Sequence, residues 1–366
     1  MTKAATRLAG NTVRKRTAPR ARASDDPGKT PMKRVDLALQ GGGAHGAFTW
    51  GVLDRLLEEP WLDLDGISGT SAGAMNAVAL VHGYGQGGAF GARSALDGFW
   101  RKVAEAAVFS PFQRSPLDVL LGRWSLDYSL AFNAMDMMAR VLSPYDLNPV
   151  GVNPLRNILN DCVDFDTLGR SPIRLFVTAT NVRTGQGRVF RNAELSADVV
   201  LASACLPTLF HAIEIDGEAY WDGGYSGNPT LTPLVRECES EDTILVQVNP
   251  VERPAAPYSA RDIADRLNEV SFNAVLFKEL RMMALLRQVA DPGRGEGSKW
   301  ARMRVHRIAS DAMQEFGYSS KLNAEWGFLS KLKAIGRAAA QEFLERSGPS
   351  IGRESTLDLD ALLAGV

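Results

Sequence analysis

Gly41-Gly42-Gly43-Ala44-His45-Gly46 and Gly69-Thr70-Ser71-Ala72-Gly73 stand 28 residues apart, each between a short apolar run and a stretch with helical spacing. The second matches Gly-x-Ser-x-Gly, the pattern of a serine whose hydroxyl is presented on a tight strand-to-helix turn. The first can offer backbone N–H groups at the start of a helix, where negative charge is favoured. A nucleophile beside an anion cradle is the equipment of acyl transfer. Gly-x-Ser-x-Gly alone arises readily by chance, and a serine in such a turn can simply cap the helix. Its weight comes from its place between an apolar strand and an apolar helix.

The first turn also fits the dinucleotide fingerprint Gly-x-Gly-x-x-Gly, with Asp63 and Asp65 near the expected distance downstream. That rival needs an acid at the end of the second strand. Asp63 and Asp65 instead precede or begin it. Under the hydrolase reading, N–H groups around Gly42, Gly43 and Ala44 form an oxyanion hole. Glycine belongs there because a Cβ would obstruct the substrate carbonyl oxygen.

A serine hydroxyl also needs a base. The four histidines are poorly placed. His45 lies inside the glycine loop and His82 at the far end of the helix after Ser71. His211 and His306 have no turn signature and read as structural. Asp222 is better placed, between the strand end Ala219-Tyr220-Trp221 and the turn Gly223-Gly224. A carboxylate with its ordinary pKa near 4 is a weak base for an alcohol, and burial would raise it. In isolation the Asp-Gly pair would be only a turn.

The elements that must carry these residues follow from periodicity. Val35 to Gln40 alternates like a strand, Ala47 to Leu57 repeats like a helix, Leu64 to Ser68 is a second strand, and Ala72 to Val81 a buried helix. This is the beginning of a parallel α/β sheet. Gly83 to Gly91 is expected to be a glycine-dense loop, and residues 94–142 a mostly helical cap. Further strands are expected at Ile173–Asn181, Arg188–Arg191, Glu218–Trp221, Thr243–Val248 and 303–309. Helices are expected at 195–205, 259–290 and 322–346. The apolar stripe Trp326, Phe328, Leu329, Leu332 and Ile335 of the last helix could meet a bilayer or pack on the body, and packing is favoured.

The motif set resembles the patatin-like phospholipases. The resemblance runs from about Val35 to Val248. It is carried by residues 41–46, residues 69–73, Ala202-Ser203-Ala204-Cys205-Leu206-Pro207, and Asp222-Gly223-Gly224 followed by Asn228-Pro229. It implies a three-layer α/β/α fold with a central, mostly parallel sheet. It also implies a Ser–Asp dyad of Ser71 and Asp222, an oxyanion hole at Gly42, Gly43 and Ala44, and lipid acyl hydrolysis without metal or cofactor. The motif glycines are Gly41, Gly46, Gly69, Gly73, Gly223 and Gly224. Family members usually carry Arg or Lys where this chain has His45, which removes a positive charge near neutral pH. That weakens the case for a strongly anionic phospholipid substrate. A catalytically silent lipid-binding protein on the same fold is the alternative, and the intact motif set argues against it.

At 366 residues and 45% hydrophobic content the chain can bury a large core. Its net charge of −1 hides an asymmetry: residues 1–34 hold ten Lys or Arg against two Asp, a net +8, and the rest holds 31 basic against 40 acidic residues, a net −9. The leader lacks the apolar core of a secretory signal and reads as a solvated tail. The expected division is a leader at 1–34, a catalytic domain at 35–250 with its helical insertion at 94–142, and an α-rich extension at 251–366 packed on it. Cys162, Cys205 and Cys238 are too scattered for a disulfide framework, which suits a reducing, cytoplasmic location. No apolar run is long enough to span a membrane. The expected partner is an acyl lipid, met at most peripherally at a membrane surface, and no nucleic acid is expected.

Overall fold

Alternation along the strands decides which face of the sheet each residue covers. In β1 (Lys33–Leu39), Val35, Leu37 and Leu39 belong to one buried cluster and Ala38 to another. β3 (Arg174–Asn181) repeats the division, with Leu175, Val177 and Ala179 against Phe176. A period of two that feeds two separate cores requires helices on both faces, hence three layers, α/β/α. The first cluster is closed by α1 (Gly46–Leu56), α2 (Ala72–Ala107) and the helix Trp326–Arg346; the second is closed largely by the long helix Ala260–Val289. The computed structural model describes residues 31–108, 110–290 and 295–364. Most of the basic leader, residues 1–30, lies outside the described residues.

The sheet has eight strands in the order β5-β6-β3-β2-β1-β7-β8, with β4 paired to β3. Here β2 is Leu62–Gly69, β4 Gly187–Arg191, β5 Ile213–Ile215, β6 Glu218–Asp222, β7 Asp242–Val246 and β8 Arg304–Ile308. The run β3-β2-β1-β7-β8 is parallel, whereas β4, β5 and β6 are antiparallel to their partners. β3 is the template on which the site is assembled. β4 occupies one edge of it along Phe176–Thr180. β2 and β6 therefore share the other edge, β2 ending with Gly69 opposite Val177 and β6 ending with Asp222 opposite Ala179. Two strands thus run toward each other, and their ends meet.

Gly83–Gly91 is not the loop expected from its composition. α2 continues through it to Ala107, and only Gly87 and Gly88 leave helical geometry. The helix doubles back there, so that a Cβ on Gly83 would lie 2.4 Å from the Gly91 carbonyl oxygen. The glycines serve a close crossing of two helical segments more than a long loop. The expected helical run at 94–142 also divides: its first part belongs to α2, and α3 (Leu130–Ala139) follows a short helix at Pro116–Leu120. Two further helices matter below, α4 (Ala197–Ser203) and α5 (Ala260–Val289).

The last long helix, α6 (Trp326–Arg346), packs on α1 with Phe328, Leu329 and Leu332 fully buried. Its apolar stripe is mostly spent inside the protein, with Ile335 partly buried and Trp326 left exposed at its start. The crossing is backbone-tight, since a Cβ on Gly336 would fall 2.0 Å from the Phe48 carbonyl oxygen and one on Gly51 2.0 Å from that of Lys333. Alanine ordinarily stabilises a helix interior by about 0.5–1 kcal/mol over glycine. Here overpacking outweighs that gain, and Gly51→Ala and Gly336→Ala are expected to cost about 1–3 kcal/mol. Urea unfolding midpoints should fall for both variants; a raised midpoint for either contradicts the close crossing.

Candidate active site

β1 and β2 are parallel neighbours, so the two glycine turns leave the sheet side by side at its carboxyl edge, where α/β proteins place their ligands. The turns touch. A Cβ on Gly41 would lie 2.7 Å from the Ser71 Cβ, and one on Gly46 2.6 Å from the Ala72 Cβ. Gly73 sits under the end of β1, where a side chain would meet the Leu39 carbonyl oxygen at 2.2 Å; Gly69 in turn lies against Gly73.

Ser71 has φ 55° and ψ −124°, a left-handed conformation that costs a non-glycine residue on the order of 1–3 kcal/mol. The surroundings hold it there. Its N–H donates to Ser203 Oγ of α4 at 2.9 Å, the Gly73 N–H donates to the Thr70 carbonyl at 2.8 Å, and Thr70 Oγ1 donates to the Gly227 carbonyl at 2.7 Å.

Asp222 closes the gap from the opposite direction. It is buried at the end of β6, and its Oδ1 accepts from the Gly224 N–H at 2.7 Å. Burial raises its pKa to about 7, against the opposing pull of the Gly224 bond, a hydrogen bond with the Ser71 side chain and the Lys321 charge. Gly223 and Gly224 leave room for Thr178 and Phe272, which press on the turn.

Gly42, Gly43 and Ala44 line the same cavity of about 220 Å³ as Ser71 and Asp222. Gly43 needs to be glycine twice over: its φ is +60°, and a Cβ would lie 2.5 Å from the Lys321 carbonyl oxygen. The 3-10 turn Gly43–His45 runs directly into α1, and the first N–H groups of such a turn have no intrahelical acceptor. The remaining walls are largely apolar, among them Met75, Phe99, Leu206 and Phe210.

A family model, the patatin-like phospholipases, matches residues 37–235, more than half of the chain and the span from the end of β1 to beyond Asp222. The chain belongs to the patatin-like phospholipase family. That membership makes it an enzyme, a lipid acyl hydrolase. No curated protein matches it. Among solved structures, VipD from Legionella pneumophila is similar over 92% of this chain and 79% of its own, at 16% identity and a TM-score of 0.34. At that distance the likeness adds nothing to the family assignment.

Within this patatin-like chain the histidines are held elsewhere. His45 is buried, with Nε2 2.8 Å from Ser320 Oγ and its ring against Phe316 and Phe328. Burial, with the charges of Lys321 and Arg253, keeps its pKa well below the usual histidine value, so it is neutral. It anchors the loop to the chain before α6 and does not line the cavity. His82 pairs with Gln86, His211 stacks on Tyr145, and His306 lies beside Asp242 in β8. Asp63 and Asp65 sit at the start of β2, far from the turn that a ribose-binding acid would have to follow.

Asp36, Asp65 and Cys238 form a separate buried cluster whose ligand-type atoms lie within 4.8 Å of one another. Asp65 is already engaged by Arg174 and by the Glu239 and Ser240 N–H groups. Burial, together with the Asp65 charge, holds Asp36 well above the ordinary carboxylate range, as expected of a protonated acid in a core. All three cysteines carry free thiols.

Four further residues touch the turns: Ser203 and Asn228, which lie within the quoted motifs without a role legible from them, and Asn249 and Lys321. Asn249 had a usable signal, since it follows a buried parallel strand at its carboxyl end. Lys321, in the 3-10 turn Ser319–Leu322, had none.

The raised Asp222 pKa has a thermodynamic signature. Between about pH 4 and pH 7 folded Asp222 keeps a proton that the unfolded chain releases, so this group's contribution to stability falls as pH rises through that window. Asp222→Asn removes the effect and can still accept the Gly224 bond. Its stability relative to wild type should therefore be greater at pH 8 than at pH 5, by on the order of 2 kcal/mol in urea unfolding. An equal margin at both pH values contradicts the raised pKa.

Proposed function

We propose that this protein releases fatty acids from acyl lipids through a Ser71–Asp222 dyad and a covalent acyl-enzyme. The observation that carries the reading is a buried carboxyl, its pKa raised to about 7, lining the same cavity as a serine held in a strained turn. A base with a pKa near the working pH is at its most effective, and a fixed turn spends no energy orienting the nucleophile at the moment of attack.

Asp222 accepts the Ser71 proton as Oγ attacks the ester carbonyl carbon. The carbonyl oxygen becomes an oxyanion and receives N–H groups of Gly42, Gly43 and Ala44. The intermediate collapses, the C–O bond to the alcohol breaks, and the proton on Asp222 passes to that alcohol. Water then gives its proton to Asp222, attacks the acyl carbonyl and frees the fatty acid, with the proton returning to Ser71.

The acyl chain has a route to the site. A second cavity of about 440 Å³ shares Leu209, Asn268, Tyr318 and Leu322 with the first and has Phe112 and Phe132 of the 110–152 segment in its wall. The outer side of that segment exposes Leu120, Leu130, Met137, Val141 and Val150, each at least 70% accessible. Such a concentration of exposed apolar side chains suits insertion into a lipid surface. No helix among the described residues is long and apolar enough to cross a membrane.

Ser71→Ala and Asp222→Asn should each lower turnover of a chromogenic acyl ester by at least about a thousandfold with circular dichroism unchanged. Retained turnover in either folded variant refutes the dyad. In the wild type, kcat/KM should rise with pH up to about 7, the acid limb belonging to Asp222. Leu130→Asp with Val141→Asp should reduce sedimentation with phosphatidylcholine vesicles and lower turnover of vesicular lipid more than that of a water-soluble ester. Equal losses on both substrates contradict surface docking through this segment.

A further inference from the structure

Lys321 reaches the site from outside the family-matched region. It lies in the turn just before α6, where its carbonyl crowds Gly43 and its neighbour Ser320 holds His45. Its Nζ donates to Asn249 Oδ1 at 2.8 Å and to Asn268 Oδ1 at 3.0 Å. Among the described ion pairs none involves Lys321, so the cation is pinned by neutral amide oxygens and is not neutralised by a bound carboxylate. Burying an ammonium on those terms is costly, which makes its retention informative.

The buried Asn249 passes the contact on. Its Nδ2 donates to the Gly41 carbonyl oxygen at 2.9 Å, and its own N–H is held by Gln40 Oε1 at 2.8 Å. The Gly41 carbonyl and the Gly42 N–H are opposite ends of one planar trans peptide. Fixing the oxygen therefore fixes the direction of the N–H. From the other side, the Gly41 N–H donates to Asn228 Oδ1 at 2.7 Å.

We propose that Lys321 is a positioning residue for the oxyanion hole, acting through the Asn249 amide and the Gly41–Gly42 peptide to orient and polarise the Gly42 N–H. This rests on the dyad reading above. The chain runs from ammonium to amide to peptide to oxyanion, with every donor facing the next acceptor. In such a chain each hydrogen bond strengthens its neighbours, and a charge at one end strengthens all of them. The low-dielectric surroundings keep solvent from screening it.

The charges that face Lys321 are Glu269 and Asp265 of α5, Arg253 after β7, and Asp222 of β6. Burial lowers the Lys321 pKa to about 8, against the pull of the carboxylates. The relay is charged at neutral pH and discharges above it.

The experiment is steady-state hydrolysis of a neutral, water-soluble acyl ester from pH 6 to 10 by wild type, Lys321→Met, Lys321→Arg, Asn249→Ala and the Lys321→Met/Asn249→Ala double variant. Lys321→Met should lower kcat about 10–100-fold, part of the effect of a lost oxyanion donor, with KM within about twofold. Wild-type kcat should fall above about pH 8 as Lys321 discharges; Lys321→Arg, whose charge does not titrate, should restore most of kcat and abolish that fall. The double variant should lose no more than about twice what Asn249→Ala loses alone, because both act on one chain. Wild-type kcat in Lys321→Met, an effect on KM alone, or multiplicative losses overturn the proposal. Should Lys321→Met fail to fold, an alkaline fall left in place in Lys321→Arg overturns it equally. Ser71→Ala measured alongside separates the two levels: turnover persisting there refutes the dyad, whereas turnover lost there but intact in Lys321→Met refutes the relay alone.

Discussion

Everything at this site depends on backbone meeting backbone where β1 and β2 end. The Gly41 position has no room for a Cβ beside Ser71, and Gly73 has none beneath Leu39. These contacts bring the loop of N–H groups to the proposed nucleophile without an intervening layer of side chains. A bound carbonyl group can then lie within reach of both. One added methyl group on this line would have to push two strand ends apart, and interiors packed at crystal-like density resist such movement.

The remaining parts store free energy where the proposed reaction would use it. Ser71 is held at positive φ, and Asp222 is buried in a setting that disfavours its anion. Both choices lower stability relative to an alanine in a relaxed turn or a neutral side chain, and the large two-faced core offsets them. Such local strain is expected where geometry must be fixed before the substrate arrives. The head-on approach of β2 and β6 along one edge of β3 explains how a serine and an aspartate 151 residues apart in sequence come together. The order in space is set by register, not by the loops.

Much of this was legible locally. Strand, glycine turn and helix follow one another from Val35 to Val81 with periodicities that change at the turns, and the parallel α/β architecture follows from that order. The same local reasoning misread Gly83–Gly91, because glycines that permit two helical segments to cross look the same in sequence as glycines that make a loop. It was also blind to partners fixed only by tertiary contact. Ser203 holds Ser71 from 132 residues away and Asn249 holds Gly41 from 208. Lys321 reaches Asn249 from a turn with no signature of its own. His45, conspicuous in the sequence as the one departure within the glycine loop, is a buried anchor facing away from the cavity.

Covalent acylation of Ser71 is open to direct detection by rapid acid quench followed by peptide mass spectrometry. Mixing enzyme with a slowly deacylating ester and quenching within the first turnover should yield the peptide containing Gly69–Gly73 heavier by one acyl group, with the modification on Ser71. Turnover of the ester with no acylated Ser71 at any quench time, or acylation at a different residue, would contradict it.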